Sequence, residues 1–427
     1  MNQPPPLPYL CPGQSQPISK AVHLGRLARF YPACSSCPHR DDTATLSPRQ
    51  TAQLRTVHQR SSQSTRFFSE GLSGAYLDDL RSADVHQLAA AWGIWVRGQE
   101  RAEWDFPPVV IASDGRSFTA ELLAAASDGL RFAGCKVIDI GYATAPCVVF
   151  AMDHLDAAGG LFVGNALGGG QDVSLKFWGK EAQPLSAPGG LNALKALAAA
   201  PVSRPLRRYG SARRFRADVP YLACLHKYFH ALRPLRIVIH TGNAPLQNYL
   251  QHLCGSVACE LIPAAHCASG SAAIQALSEK VVAHQAHGGL WIDGDGENCR
   301  LVDEQGQGVA TETLLVLLAQ FLLDEHPRAT VVVDQTATSQ GVERLSQLGA
   351  TVQRGEGSRQ QMHQTLAACQ GLLGADREGR FWFHDHRPSA DALKALAVLL
   401  NVLSQGDQEL SQLARQATLV RSPAAAH

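Results

Sequence analysis

Two hydrophobic regimes divide the chain. Residues 1–64 keep no sustained period, and the stretch running up to Thr65 is dominated by Ser, Thr, Gln and Arg. From Phe67 onward, short runs of β-branched residues alternate with amphipathic stretches. Val109-Val110-Ile111-Ala112 is apolar without alternation, as a strand covered on both faces requires. Glu121 to Ala133 has the spacing of an amphipathic helix ending near Gly134, and Val137-Ile138-Asp139-Ile140 reads as the next strand. The unit recurs. Leu235 to Ile239 opens a second block after the basic linker Arg204 to Arg216, and Leu314 to Leu323, followed by Thr330 to Val333, opens a third. Strands alternating with helices predict parallel sheet under covering helices, an α/β fold.

Length and composition set the scale. At 427 residues the chain exceeds one ordinary domain, and domains of about 100–150 residues divide it into about three. Apolar residues make up 45% and charged residues 18%, enough to build several cores. The 38 Lys and Arg against 37 Asp and Glu leave a net charge of +1, so no basic field points to nucleic acid. The runs Leu314–Leu323 and Leu393–Leu403 fall short of the roughly 20 residues a bilayer span needs. No basic segment followed by an apolar one opens the chain, so no secretory signal is visible. The expectation is a cytoplasmic protein without nucleic-acid or membrane partners.

Cysteine usage agrees with a reducing compartment. Of eleven cysteines, Cys135, Cys147, Cys224, Cys254 and Cys369 stand singly in apolar surroundings, where the thiol behaves as a small hydrophobe. The N-terminal group differs. Cys34-Ser-Ser-Cys37-Pro-His39 has the two-residue gap that lets two thiolates bind one zinc ion, with Cys11 and either His39 or His23 as further ligands. Residues 1–64 are thus expected to form a small Cys/His module, either zinc-bound or a metal-free leader.

A series of segments resembles, in order, the signatures of the phosphohexomutase superfamily, the phosphoglucomutases and phosphomannomutases. Phe67-Phe68-Ser69-Glu70-Gly71-Leu72-Ser73-Gly74 is similar to F-G-T-D-G-I-R-G, and Ala112 to Thr119 to G-R-D-T-R-x-S-S. Val137 to Pro146 resembles V-x-D-L-G-x-x-P-T-P. Arg354 to Arg359 is similar to R-T-x-V-G-S-R, and Ser389 to Leu403 to a helix that begins G-D-G-x-x-A-A. The resemblance implies three consecutive α/β/α domains at 65–205, 206–310 and 311–405, preceded by the 1–64 module and followed by a tail at 406–427. That tail reads as a short helix and a disordered end, Arg421 to His427.

The departures fall on the chemistry. The family's T-A-S-H-N-P loop, whose serine carries the exchanged phosphoryl group, aligns with Gly164-Asn165-Ala166-Leu167-Gly168-Gly169, so Ala166 occupies the nucleophile position. Phosphoryl transfer through the protein needs an oxygen nucleophile, and alanine offers a methyl group. Ser174 lies nearby, at the place of a family glycine. Asp293-Gly294-Asp295-Gly296-Glu297 resembles the magnesium loop D-G-D-G-D, with Asp293, Asp295 and Glu297 as metal ligands and Asn298 where the family has arginine. Gly374 to Arg380 resembles the sugar loop G-G-E-M-S-G-H, keeping an acid at Asp376 and placing Glu378 and Arg380 where the family has serine and histidine.

His240 stands at a family aspartate position and reads as a loop residue. The family's fourth, phosphate-gripping domain finds only the 406–427 tail. The resemblance therefore implies a mutase-like pseudoenzyme that keeps a sugar-phosphate or anion site around Arg116, Asn165, Lys176, Asp376, Glu378 and Arg380, or binds a protein partner. Two alternatives stand beside it: an impaired but active hexose-phosphate mutase, and a scaffold whose zinc module contacts a protein.

Overall fold

The computed structural model describes residues 9–12, 14–29, 31–34, 37–48, 50–51, 54, 66–99, 106–164, 171–187, 189–199, 202–203, 207–255, 257–264, 270–385 and 387–419. In the N-terminal segment, α1 (Lys20–Ala28) starts at Ser19, whose hydroxyl accepts from the Val22 amide. A small core of its own gathers Leu24, Leu27, Cys34 and Leu54.

The first sheet comes from β1 (Arg66–Phe68), β2 (Gly71–Ala75), α2 (Ser82–Gln99), β3 (Pro108–Ser113), α3 (Thr119–Phe132), β4 (Lys136–Tyr142), α4 (Ala145–His154), β5 (Gly159–Gly164), β6 (Asp172–Trp178), α5 (Gly190–Ala198) and β7 (Ala212–Arg214). Its strand order is β1-β2-β6-β5-β3-β4-β7. β3 lies between β4 and β5, parallel to both, which explains its unbroken apolar run: Val109 to Ala112 are fully buried. α4 begins at Thr144, whose side chain accepts from the Cys147 amide, with Pro146 in its first turn.

The second sheet follows α6 (Asp218–His226) and contains β8 (Leu235–Thr241), α7 (Ala244–Cys254), β9 (Cys259–Pro263), α8 (Ser271–Ala283), β10 (Gly288–Ile292), β11 (Cys299–Asp303) and β12 (Gly308–Val309), ordered β12-β11-β10-β8-β9. The third is built from α9 (Thr311–Glu325), β13 (Thr330–Asp334), α10 (Ser339–Gln347), β14 (Thr351–Gly355), α11 (Arg359–Cys369), β15 (Leu373–Ala375), β16 (Phe381–Phe383), β17 (Ser389–Ala390) and α12 (Ala392–Ser404), ordered β14-β13-β15-β16-β17. A last helix, α13 (Leu410–Thr418), packs against α9 and α10.

Several readings of the sequence are refined. Each sheet has a parallel centre but antiparallel pairing toward one edge, through β6, β2 and β1 in the first, β11 and β12 in the second, and β16 and β17 in the third. Part of the basic linker, Ala212–Arg214, is β7 and pairs with β4 of the first sheet. His240 is not a loop residue. It is buried in β8 opposite Trp291, because the apolar strand runs on to Thr241. The segment Arg421 to His427 lies outside the described residues. Among the described residues no helix is long and apolar enough to cross a membrane.

The apolar runs Leu314–Leu323 and Leu393–Leu403 lie in α9 and α12, which pack together within one core that extends into all three units. That shared core brings the carboxyl ends of parallel strands toward one another, the usual place for a site in such sheets. Asp114 follows β3, Asp293 follows β10 and Asp376 follows β15.

Candidate functional site

At the end of β3, Asp114 is buried and turns its carboxylate back onto the chain. It accepts from the Arg116 amide at 3.2 Å, from Arg116 Nε at 2.6 Å and from the Thr119 hydroxyl at 3.1 Å. Burial outweighs these donors and raises the Asp114 pKa. Arg116 donates its other nitrogens to backbone carbonyls, Nη1 to Asp172 at 2.8 Å and Nη2 to Gly164 at 2.9 Å. Arg116 thus braces the end of β5 and the start of β6. Asn165 and Ala166 lie outside the described residues. Ser174 is buried inside β6, in register with Ser73 on one side and Gly164 on the other.

The acidic loop after β10 is held from within. Asp293 accepts from the Glu297 amide at 2.9 Å and from the Asn298 side chain at 2.7 Å. Gly296 turns the loop at φ +81°, where a side chain would also press on Thr144 at 3.0 Å. Asn243, the N-cap of α7, donates to the Gly294 carbonyl at 2.7 Å, and the Asp295 carbonyl accepts from the Ala145 amide at 2.9 Å. The loop is therefore seated on two helix starts.

Lys176, projecting from β6, reaches this loop. Its ammonium lies 2.5 Å from Asp295 Oδ2 and 2.6 Å from Glu297 Oε2. The other Glu297 oxygen accepts from Arg359 Nη2 at 2.6 Å. Burial would push Glu297 up, but Arg359 and Lys176 prevail and bring it down to about 2. Burial and the neighbouring Asp295 raise Asp293 to about 6. Lys176 is raised: burial disfavours its charge, but Asp295 and Glu297 outweigh that cost.

Arg359 opens α11 and is only 1% exposed. Its guanidinium lies over the Trp178 ring, 4.9 Å from the centroid. Among the described residues its Nε and Nη1 donate to nothing. The Arg359 amide donates to Glu70 Oε1 at 3.2 Å.

The loop after β15 closes on its own arginine. Arg380 donates from Nε to Asp376 Oδ2 and from Nη1 to Glu70 Oε2, both at 2.6 Å, with Glu378 at 3.5 Å and largely exposed. Burial raises Asp376 despite Arg380. For Glu70, burial is overcome by Arg380 and Arg359, and its carboxyl is lowered. Arg380 itself is raised: burial opposes, and Asp376 and Glu70 prevail.

A divalent ion does not fit this donor set. Magnesium requires near-octahedral oxygen ligands at about 2.0–2.1 Å, whereas the Lys176 ammonium and the Arg359 guanidinium already hold Asp295 and Glu297. Among the described residues no group of three His, Cys, Asp or Glu is placed to hold a metal ion. Of the expected triad Asp293, Asp295 and Glu297, the last two are thus engaged by cations of the chain itself. Of the N-terminal set Cys11, Cys34, Cys37 and His39, the three thiols are buried, Arg26 Nη1 donates to Cys11 Sγ at 3.2 Å, and exposed His39 sets its ring edge-on to Tyr9.

Of the residues singled out in the sequence, Lys176 joins the acidic loop, and Asp376, Glu378 and Arg380 form one cluster. Glu70 and Arg359 received no role from sequence reasoning, yet both lie inside segments that carry the family resemblance. A buried charge within a motif was the available signal.

Comparison with known proteins agrees with this architecture. The sequence profile of the phosphoglucomutase/phosphomannomutase alpha/beta/alpha domain I matches residues 65–196, and that of domain III matches residues 311–419. A phosphohexose mutase of Xanthomonas campestris pv. campestris is 26% identical over 325 residues, covering 73% of this chain and 72% of the relative. A phosphoglucosamine mutase of Alkalilimnicola ehrlichii is 24% identical over 338 residues, covering 75% and 74%. Among solved structures, a phosphoglucomutase/phosphomannomutase family protein of Burkholderia thailandensis superposes with a TM-score of 0.71 at 22% identity, covering 81% of this chain and 78% of that one. A putative phosphomannomutase of Thermus thermophilus gives 0.68 at 19% identity, with 83% of each chain covered.

Proposed function

The chain belongs to the phosphohexomutase superfamily, and on that premise we propose that it binds a hexose phosphate without carrying or transferring the phosphoryl group. The observation that carries this reading is the Glu70–Arg380 pair, 2.6 Å long, which ties the first unit to the third across the site. A mutase of this kind has to hold its sugar in two orientations for its two transfers. Separating the units here would strip Glu70 of Arg380, which keeps only Asp376, and breaking such a buried pair costs about 3–5 kcal/mol. The alanine at position 166 argues the same way, since it supplies no nucleophile.

Binding has its own support. The two unengaged nitrogens of buried Arg359, Nε and Nη1, are directional donors of the kind that recognises phosphate oxygens. Relatives named for phosphohexoses and phosphoglucosamine suggest the ligand class. The protein works in the reducing cytoplasm, as its many unpaired cysteines suggest.

Differential scanning fluorimetry against glucose, mannose and glucosamine phosphates tests the binding half of the proposal. A saturable rise in Tm for one of them is expected, because a ligand that binds only the folded state stabilises it. No shift with any of them removes that half. A phosphorylated form of the protein, seen by intact mass after incubation with the same sugars, removes the other half.

A further inference from the structure

The ammonium of Lys176 stands between the carboxylates of Asp295 and Glu297, where a metal loop of this composition would place its cation. We infer that Lys176 is a tethered replacement for the divalent ion, and that the Asp293–Glu297 loop is a metal-free joint holding the three units together. The inference concerns the loop alone and does not depend on whether a hexose phosphate binds.

Three features carry it. The first is charge. Asp295 and Glu297 meet the cations of Lys176 and Arg359 at 2.5 to 2.6 Å, so a dication entering the loop would face like charges rather than free carboxylates. The second is space. An added Cβ on Gly164 would lie 2.4 Å from Asp295 Oδ1, so β5 already closes on that side of the loop. The third is connection. Lys176 comes from the first sheet, Asp295 and Glu297 from the second unit and Arg359 from the third, so one run of ion pairs spans all three. A covalently held cation keeps that joint formed at any concentration of free metal, whereas a bound ion would make it depend on supply.

Manganese(II) tests the inference, because it takes the same oxygen ligands as magnesium and free and bound ions are counted by electron paramagnetic resonance. The wild-type protein is expected to bind no manganese at the loop, and its Tm to be the same in EDTA and in excess magnesium. Lys176→Met removes the charge while keeping most of the side-chain volume, and it should bind one manganese at least about tenfold more tightly than wild type. Adding Asp295→Asn to that variant should abolish the gain. Lys176→Gln makes the same comparison if the methionine variant fails to fold. One manganese bound by the wild type and lost in Asp295→Asn would overturn the inference. So would folded Lys176 variants that bind no better than wild type.

Discussion

Arg380 and Glu70 meet at 2.6 Å although 310 positions separate them in sequence. Both positions depart from the family pattern, aspartate giving way to glutamate and histidine to arginine, and the two longer side chains together span the gap. The pair is therefore expected to behave as a unit. Arg380→Met should destabilise the protein by about 3–5 kcal/mol, since it strands Glu70 and Asp376. Glu70→Gln should cost less, because Asp376 still holds the arginine. In urea unfolding, the double variant should be less destabilised than the sum of the singles, by about 0.5–3 kcal/mol. Strict additivity would contradict the link between the units.

Arg359 is expected to tolerate no substitution by lysine. Its planar group both stacks on Trp178 and bonds Glu297, and a lysine ammonium lacks the flat face. Arg359→Lys and Arg359→Met should each lower stability by about 3–5 kcal/mol. A lysine variant as stable as wild type would show that charge alone is sufficient there.

His363, on the same helix, gives a pH signature. It is buried with Nδ1 3.0 Å from the Pro388 carbonyl, and burial brings its pKa down from 6.5 to about 4, with His384, Arg387 and Arg359 adding to the shift. A base depressed in the folded state contributes stability that is fully present above pH 6.5 and lost as pH falls through about 4. Urea midpoints should decline across that window, and His363→Gln should decline less steeply. Parallel profiles for the two proteins would remove His363 as the cause.

Restoring the family hydroxyl should not be enough to restore phosphoryl carriage. Ala166→Ser supplies an oxygen nucleophile, yet Lys176 still fills the acidic loop. Intact mass after incubation with a hexose bisphosphate should show no added phosphate in either wild type or the serine variant. A phosphorylated serine variant would mean that the loop is open to the chemistry.

The fold was legible in the sequence because buried strands carry their own pattern. Val109 to Ala112 is apolar throughout and Leu235 to Ile239 is apolar except at Arg236, and both are central parallel strands. The antiparallel edges were not legible: Gly308–Val309 and Ser389–Ala390 are two residues long and show no period. At the site, motif order located Lys176, Asp293, Asp295, Glu297, Asp376 and Arg380. It did not reveal that these residues satisfy one another. Lys176 and Glu297 lie 121 positions apart, and only folding shows that a cation stands beside the acids. A composition of three carboxylates reads as a metal site until the neighbouring charges are placed.

The central claim, a mutase fold that does not transfer phosphate, is tested most directly by phosphorus NMR. The purified protein would be incubated with glucose 1-phosphate, a catalytic amount of glucose 1,6-bisphosphate and magnesium, and spectra followed over time. The account predicts that the 1-phosphate resonance persists unchanged. A 6-phosphate resonance that grows in proportion to protein concentration, and vanishes with an Asp295→Asn variant, would contradict it.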